Sequence, residues 1–221
     1  EQARVYEAAR IRALTNVGKK GSALFDLLRH LTSLRRIACH PYLEEEKPDP
    51  FLSGKFEYLD SQIVELSIAS EGILVFSQYT SVLRVLKQLL HKHGIEPLYL
   101  DGKTPEKTRK TLVERFQSGG AKFFLISLKA GGTALTLTRA DTVIHLDPWW
   151  NPAVENQATD RAHRIGQKKH VMVYKLISEG TVEEKVLTLQ AQKRELFNDL
   201  IDDEPAAATR ITREDIAGLL E

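Results

Sequence analysis

Between Gln157 and Gln167 the chain sets two arginines, Arg161 and Arg164, among Gln157, Asp160, His163, Gly166 and Gln167. On a helix, Gln157, Arg161 and Arg164 stand at i, i+4 and i+7 and form one polar stripe. Val154, Ala158 and Ala162 form a small apolar stripe roughly 100° away. The spacing predicts a helix lying flat on its neighbours with two guanidiniums turned outward. Arginine suits phosphate because it stays charged and its planar fork matches two oxygens. Where a phosphoryl group is transferred, such arginines stabilise the charge spreading over its oxygens, with rate effects on the order of 10³–10⁵. A solvated helix paired with Glu155 and Asp160 is the plainer reading of two spaced arginines alone; the long combined pattern outweighs it.

Other loops offer related chemistry. Ser127, Lys129, Gly131 and Gly132 follow a strand-like run. Paired glycines let the backbone approach a ligand and aim amides at phosphate, though a tight strand-to-helix turn needs them equally. Trp149 and Trp150 sit in a loop bounded by Pro148 and Pro152. They could plug a core, stack on a base or dock against an opposing lobe, and docking or coupling is the favoured reading. Gly102, Lys103 and Thr104 imitate the end of a phosphate-binding P-loop, but Pro97 stands where its first glycine belongs. The acidic pair Asp203 and Glu204 follows no buried strand, so it makes no Mg²⁺ site. These 221 residues therefore hold no complete site for a nucleoside triphosphate. His40, His91, His93, His145 and His163 form no cluster, and His145 reads as a core residue within a strand.

The elements that must position these residues follow from periodicity. Residues 1–43 read as helical, with Leu24, Leu27, Leu28, Leu31, Leu34 and Ile37 on one stripe and a break at Gly18 and Gly21. A polar, proline-punctuated linker occupies 44–50. Beyond Ser53, strand-like runs at 73–76, 97–100, 123–126, 142–146 and 171–174 alternate with amphipathic helices. That alternation predicts a parallel sheet covered on both faces. Ligands of such sheets gather at the carboxyl ends of the strands. Those ends are the loops at 77–78, 101–104, 127–132 and 147–151. A long helix is expected from Thr181 to about Leu200, then an Ala-rich tail with one short helix. The expected division is 1–52, a helical protrusion and linker; 53–180, an α/β lobe; and 181–221, a bracing helix and acidic tail.

Composition narrows the class. One cysteine, Cys39, rules out an internal disulfide and a cysteine-rich metal site, and it fits a reducing, intracellular setting. No run of about 18 apolar residues is present. The net charge of +1 conceals a basic stretch: Lys103, Lys107, Arg109, Lys110, Arg115, Lys122, Lys129 and Arg139 outnumber Asp101, Glu106 and Glu114. That suits a phosphate-rich partner and suits solvated helix faces equally. The missing initiator Met leads to the expectation of an excised fragment.

The ordered runs Phe76–Tyr79, Asp101–Thr104, 127–132, 147–152 and 157–167 resemble the C-terminal helicase motifs of Swi/Snf-type ATPases of helicase superfamily two. The resemblance extends over about residues 1–200: Tyr6 and the 34–41 run are similar to the protrusion, and the helix near Glu183 to the segment bracing two lobes. It implies the RecA-like second lobe of a motor that tracks along double-stranded DNA and remodels protein–DNA complexes. ATP and Mg²⁺ would be held mainly by an N-terminal RecA-like lobe of the same polypeptide, and a DNA-bound protein would be a further partner. Arg161 and Arg164 would act as fingers on the γ-phosphate, with Gln157, Gly131 and Gly132 beside the nucleotide. Ser77, Gln78, Lys103, Thr104, Ser127 and Lys129 would lie along the DNA backbone, and Trp149 and Trp150 would couple hydrolysis to lobe movement. Location would be cytoplasm or nucleoid in a prokaryote and nucleus in a eukaryote. Ala134 and Thr136 depart from the family's usual glycine and asparagine. Three other readings remain: a strand-separating helicase, separated by an unwinding assay; a non-catalytic scaffold, against which Gln157, Arg161 and Arg164 stand; and a small-molecule α/β enzyme, for which no nucleophile–base pair or dinucleotide fingerprint exists.

Overall fold

The computed structural model describes residues 1–17, 24–43, 49–130, 135–164, 166–167, 169–199 and 218–219. Strands β1 (Ile73–Ser77), β2 (Leu98–Leu100), β3 (Phe123–Ser127), β4 (Thr142–His145) and β5 (Met172–Lys175) form one five-stranded sheet in the order β2-β3-β1-β4-β5. Every described pairing is parallel, with Ser77 opposite Ser127 at the carboxyl end. The predicted RecA-like α/β sheet is therefore present.

Alternation along the central strands builds two cores. Ile73, Val75, Phe123, Leu125 and Ile144 face helices α3 (Gly54–Ala69) and α4 (Thr80–Lys92). Leu74, Phe76, Phe124, Ile126 and Val143 point the other way, with Phe116 of α5 (Glu106–Gln117) and with Ala158 and Ala162. Burial of β1 and β3 on both faces explains their unbroken apolar runs. Helix α4 buries Val82, Leu83, Val85, Leu86, Leu89 and Leu90 and stops at Gly94, whose φ of 70° favours glycine. His145 is buried and stacked on Phe76 at 5.6 Å between ring centroids, as its strand position suggested.

A third core joins α1 (Gln2–Val17), α2 (Leu24–Cys39) and α7 (Val182–Asp199). Leu27, Leu31, Leu34 and Ala38 form the apolar stripe of α2 and meet Tyr6, Ala13, Val182, Val186 and Leu219. The backbone N–H of Val182 donates to the Tyr6 hydroxyl at 2.7 Å. This helical layer is fastened to the α/β lobe by a buried ion pair, Lys55 of α3 with Glu183 of α7 at 2.6 Å. Lys55 also donates to Leu146 O at 2.6 Å. Burial raises the Glu183 carboxyl above its usual range despite the attraction of Lys55.

Three expectations need correction. Helix α3 has no counterpart in the sequence reading. It exposes Tyr58, Val64 and Ile68 while burying Lys55, Phe56, Leu59 and Ile63, so its apolar residues fall on both faces. Strand β5 is an edge whose Met172, Val173 and Tyr174 are exposed, so the sheet is not covered throughout. The arginine-bearing segment is not one helix, for reasons given below. The break at Gly18 and Gly21 and most of the 44–50 linker lie outside the described residues.

Removing one partner of a buried ion pair leaves an uncompensated charge and typically costs about 3–5 kcal/mol. Glu183→Leu is expected to lower stability by that order in urea unfolding, and Lys55→Met combined with Glu183→Leu to recover most of it. Equal losses in the single and double variants would contradict this account.

Candidate functional site at the strand-end rim

A parallel sheet delivers every strand's carboxyl end to one rim. There the Asp147 carboxylate accepts from the Ser77 hydroxyl and from the Gln78 N–H at 3.2 Å, joining the loops after β1 and β4. The loop after β2 closes on Asp101, which accepts from the Lys103 N–H at 2.9 Å and the Thr104 hydroxyl at 3.2 Å. Burial works to raise the Asp101 carboxyl, but these bonds and one from Tyr99 hold it below its usual range. Arg109 on α5 donates to Thr104 O, Asp101 O and Ala130 O at 3.1, 3.3 and 3.4 Å, binding the loops after β2 and β3 together.

Not all of the predicted phosphate-facing residues are presented to solvent. Lys103 and Lys129 are exposed and Gln78 and Thr104 half-buried. Ser77 is fully buried and Ser127 is 2% exposed, so neither hydroxyl lies on the surface where the sequence reading placed it. The cause is the pairing of β1 with β3, which draws both residues into the last rung of the sheet. The basic stretch divides similarly. Lys103, Lys107, Lys110, Arg115 and Lys129 are exposed. Arg109, Lys122 and Arg139 hold backbone carbonyls: Lys122 that of Ser70, Arg139 those of Phe116 and Ala121.

Helix α6 (Pro152–Thr159) is capped by Asn151, whose side chain accepts from the Ala153 N–H, and it ends before either arginine. The Arg161 carbonyl accepts from Leu137 N–H at 2.9 Å and that of Ala162 from Gln167 Nε2 at 3.3 Å, so acceptors a continuing helix would need are diverted. Gln167 Nε2 also donates to Thr138 O at 2.9 Å and Ala140 O at 2.7 Å, pinning the segment after α6 to the turn that leads into β4. Gly166, at a φ of 108°, permits the reversal. Gln157, Arg161 and Arg164 therefore do not share a helical stripe. Arg161 is 3% exposed while Gln157 and Arg164 are exposed, correcting the picture of two outward guanidiniums. Burial first, and Arg164 second, lower the Arg161 pKa. Arg164 donates to the Thr136 hydroxyl at 3.2 Å, giving that departure from the usual asparagine a contact. Gly131, Gly132 and Ala134 lie outside the described residues.

Trp149 and Trp150 are half-buried, with ring centroids 5.3 Å apart, and are held from three directions. Arg35 of α2 lies 4.2 Å from the Trp150 centroid and 5.5 Å from that of Trp149, and donates to Pro148 O at 2.5 Å and Gln78 Oε1 at 3.1 Å. It is 2% exposed, and no carboxylate among the described residues pairs with it. Gln190 of α7 donates to Trp149 O. Glu155 of α6 accepts from Trp149 N–H at 2.6 Å. Sequence reasoning passed over Arg35 and Gln190, and named Glu155 only in the plainer reading it set aside, as a surface partner of the arginines. Only their burial reveals them, and no local spacing signals that.

Comparison with known proteins decides the class. The helicase conserved C-terminal domain family matches residues 54–166, which span the sheet up to β4, helix α6 and both arginines. The SWI2/SNF2 ATPase C-terminal domain of Sulfolobus solfataricus is 32% identical, with a TM-score of 0.75 over all of this chain and 92% of that one. This chain belongs to the SWI2/SNF2 ATPases, as their C-terminal lobe. The ATPase core of the same organism, solved in complex with double-stranded DNA, is 34% identical with a TM-score of 0.80, over all of this chain and 47% of that one. Among sequences, Bacillus subtilis YwqA, by name an ATP-dependent helicase/translocase, is 41% identical over 216 residues, 92% of this chain and 23% of that protein. Helicase domino of Drosophila melanogaster is 40% identical over 171 residues, 74% of this chain and 5% of that protein. The SWI2/SNF2 lobe thus spans less than a quarter of the length of YwqA and of Helicase domino.

Arg35→Ala should detach the tryptophan loop of the SWI2/SNF2 lobe. Loss of the cation–π contacts and of the bond to Pro148 O is expected to lower stability by about 2–4 kcal/mol. Because the sequence contains two tryptophans, both in this loop, intrinsic fluorescence of the lobe should shift to the red. An unchanged emission maximum would contradict the clamp.

Proposed function

We propose that this lobe is the arginine-finger half of an ATP-dependent translocase that tracks along double-stranded DNA and remodels protein–DNA complexes. The observation that carries the reading is the turn after α6. It keeps Arg161 buried and Arg164 exposed beside the segment that enters β4 from its amino end, in a sequence without a P-loop. The donor set fits a phosphate. Two guanidiniums lie near enough for one to depress the other's pKa, a repulsion that an anion between them would relieve.

In this reading Arg164 reaches across the gap toward a γ-phosphate while Arg161, held in low dielectric, supplies the nearer fixed charge. Bound with Mg²⁺ to the P-loop of an N-terminal lobe, ATP supplies the anhydride whose cleavage drives movement. Gln157 lies beside it, and Gly131 and Gly132 are assigned there from the sequence. Among the described residues no three metal-ligating side chains cluster, and we assign Mg²⁺ to the opposing lobe. Lys103 and Lys129, with Thr104 and Gln78, contact the DNA backbone. Ser77 and Ser127 act from beneath, shaping the loops that carry those residues. Trp149 and Trp150 couple the nucleotide to lobe movement, and a DNA-bound protein is the object moved. The division into 1–52, 53–180 and 181–221 is proposed with it, α7 serving as the brace.

Arg164→Ala in the full-length protein is expected to reduce DNA-stimulated ATP hydrolysis by about 10³-fold or more. DNA affinity and thermal stability should change little, since the side chain is exposed. Retained turnover with lost stability would reverse the assignment. The lobe alone should neither hydrolyse ATP nor bind DNA tightly. Its DNA affinity should fall steeply with salt, as phosphate contacts dictate, and salt-independent binding would count against backbone tracking.

A further inference from the structure

Glu155 has no place in the roles assigned above, yet, like Glu183, it is a buried carboxylate that faces a lysine and accepts from a backbone N–H. It is 1% exposed on the first turn of α6. One carboxylate oxygen accepts from Trp149 N–H at 2.6 Å and from Gln190 Nε2 at 3.0 Å. The other accepts from Lys175 Nζ at 2.5 Å. A single side chain thus joins the tryptophan loop, α7 and the edge strand β5. It is not needed to cap α6, because Asn151 already does so.

Helix α6 is only eight residues long, and its far end is fixed separately. Ala158 and Ala162 are buried in the sheet core, and the bonds from Leu137 and Gln167 hold the turn that follows. Arg161 follows Glu155 by six positions and lies two beyond Thr159, the last residue of α6. On the other side, Gln190 belongs to the helical layer, and Arg35 of that layer grips Pro148 and Trp150. A shift of α2 or α7 against the sheet therefore reaches Glu155 by two routes, through the loop backbone and through Gln190.

We propose that Glu155 is a positioning residue. It holds the start of α6 in register with the tryptophan loop and α7, so that the placement of Arg161 and Arg164 follows the position of the helical layer. This rests on the arginine-finger reading. A finger acts as phosphoryl charge develops, and a misplacement of about 1 Å costs up to 10²-fold in rate. The signature of lost positioning is thus a fall in kcat at nearly constant KM.

The test is steady-state ATP hydrolysis by the full-length protein on double-stranded DNA, with Glu155→Ala, Glu155→Gln and Arg164→Ala compared at a temperature where circular dichroism shows each folded. Glu155→Ala is expected to lower kcat roughly 10- to 100-fold, with KM for ATP within about twofold of wild type. Glu155→Gln should fall between, because it keeps an acceptor for Trp149 and Gln190 and loses the charge facing Lys175. Where Glu155→Ala fails to fold, Gln190→Leu carries the test with an intermediate fall in kcat. Wild-type kcat in the folded variants, or a loss expressed as raised KM, would overturn the proposal. Arg164→Ala keeps the two ideas apart: if it abolishes turnover while the folded Glu155 variants retain it, only the positioning role fails. Full turnover by Arg164→Ala would instead remove the finger reading and this role with it.

Discussion

Taking a guanidinium out of water is tolerated only where surrounding dipoles or anions replace the lost hydration. Arg161 lies under that constraint, 3% exposed with the like charge of Arg164 near enough to lower its pKa. The local architecture serves to keep it there. Helix α6 packs through Ala158, whose small side chain lets it sit close to the sheet. The carbonyl of Arg161 is claimed by Leu137, and Gln167 fastens the turn to three backbone carbonyls. A helix running through both arginines would have exposed them alike. The early stop instead gives each guanidinium its own environment, one fixed and dry, the other exposed and reaching.

The second determinant is the join between the α/β lobe and the helical layer. Two buried cations make it: Lys55, paired with Glu183, and Arg35, whose charge is met by carbonyl and amide oxygens and two indole faces. Both reach the loop after β4, Lys55 at Leu146 O and Arg35 at Pro148 O. Asp147 lies between them and holds Ser77 and the backbone of Gln78. The loop carrying the tryptophans is thus connected to β1, α2, α6 and α7 at once. In the proposed motor, this lets a signal at the nucleotide side reach residues assigned to DNA without unfolding any element.

Much of this was legible in the sequence, for identifiable reasons. The runs at 73–76 and 123–126 are apolar throughout because both faces are buried, and the stripes of α2 and α4 are clean because each helix has one buried side. Helix α3 escaped notice since Val64 and Ile68 face solvent opposite Leu59 and Ile63. The site was legible as residue types and order, and less so as geometry. Arg161 and Arg164 look equivalent in the sequence, and only long-range bonds from Leu137 and Gln167 separate them. Arg35, Glu155 and Gln190 read as ordinary charged or polar helix residues. Their importance arises from partners 113, 35 and 41 residues away along the chain, contacts that no local pattern encodes.

The account turns on where the two guanidiniums lie when the nucleotide is cleaved. The most direct measurement is a structure of the full-length protein on double-stranded DNA with ADP and aluminium fluoride in place of the transferred phosphoryl group. Arg161 and Arg164 are expected to lie within hydrogen-bond reach of the fluoride ligands, about 2.6–3.2 Å, with Arg161 still backed by the turn that buries it. Both side chains directed elsewhere, in a complex whose lobes have closed on the nucleotide, would contradict it.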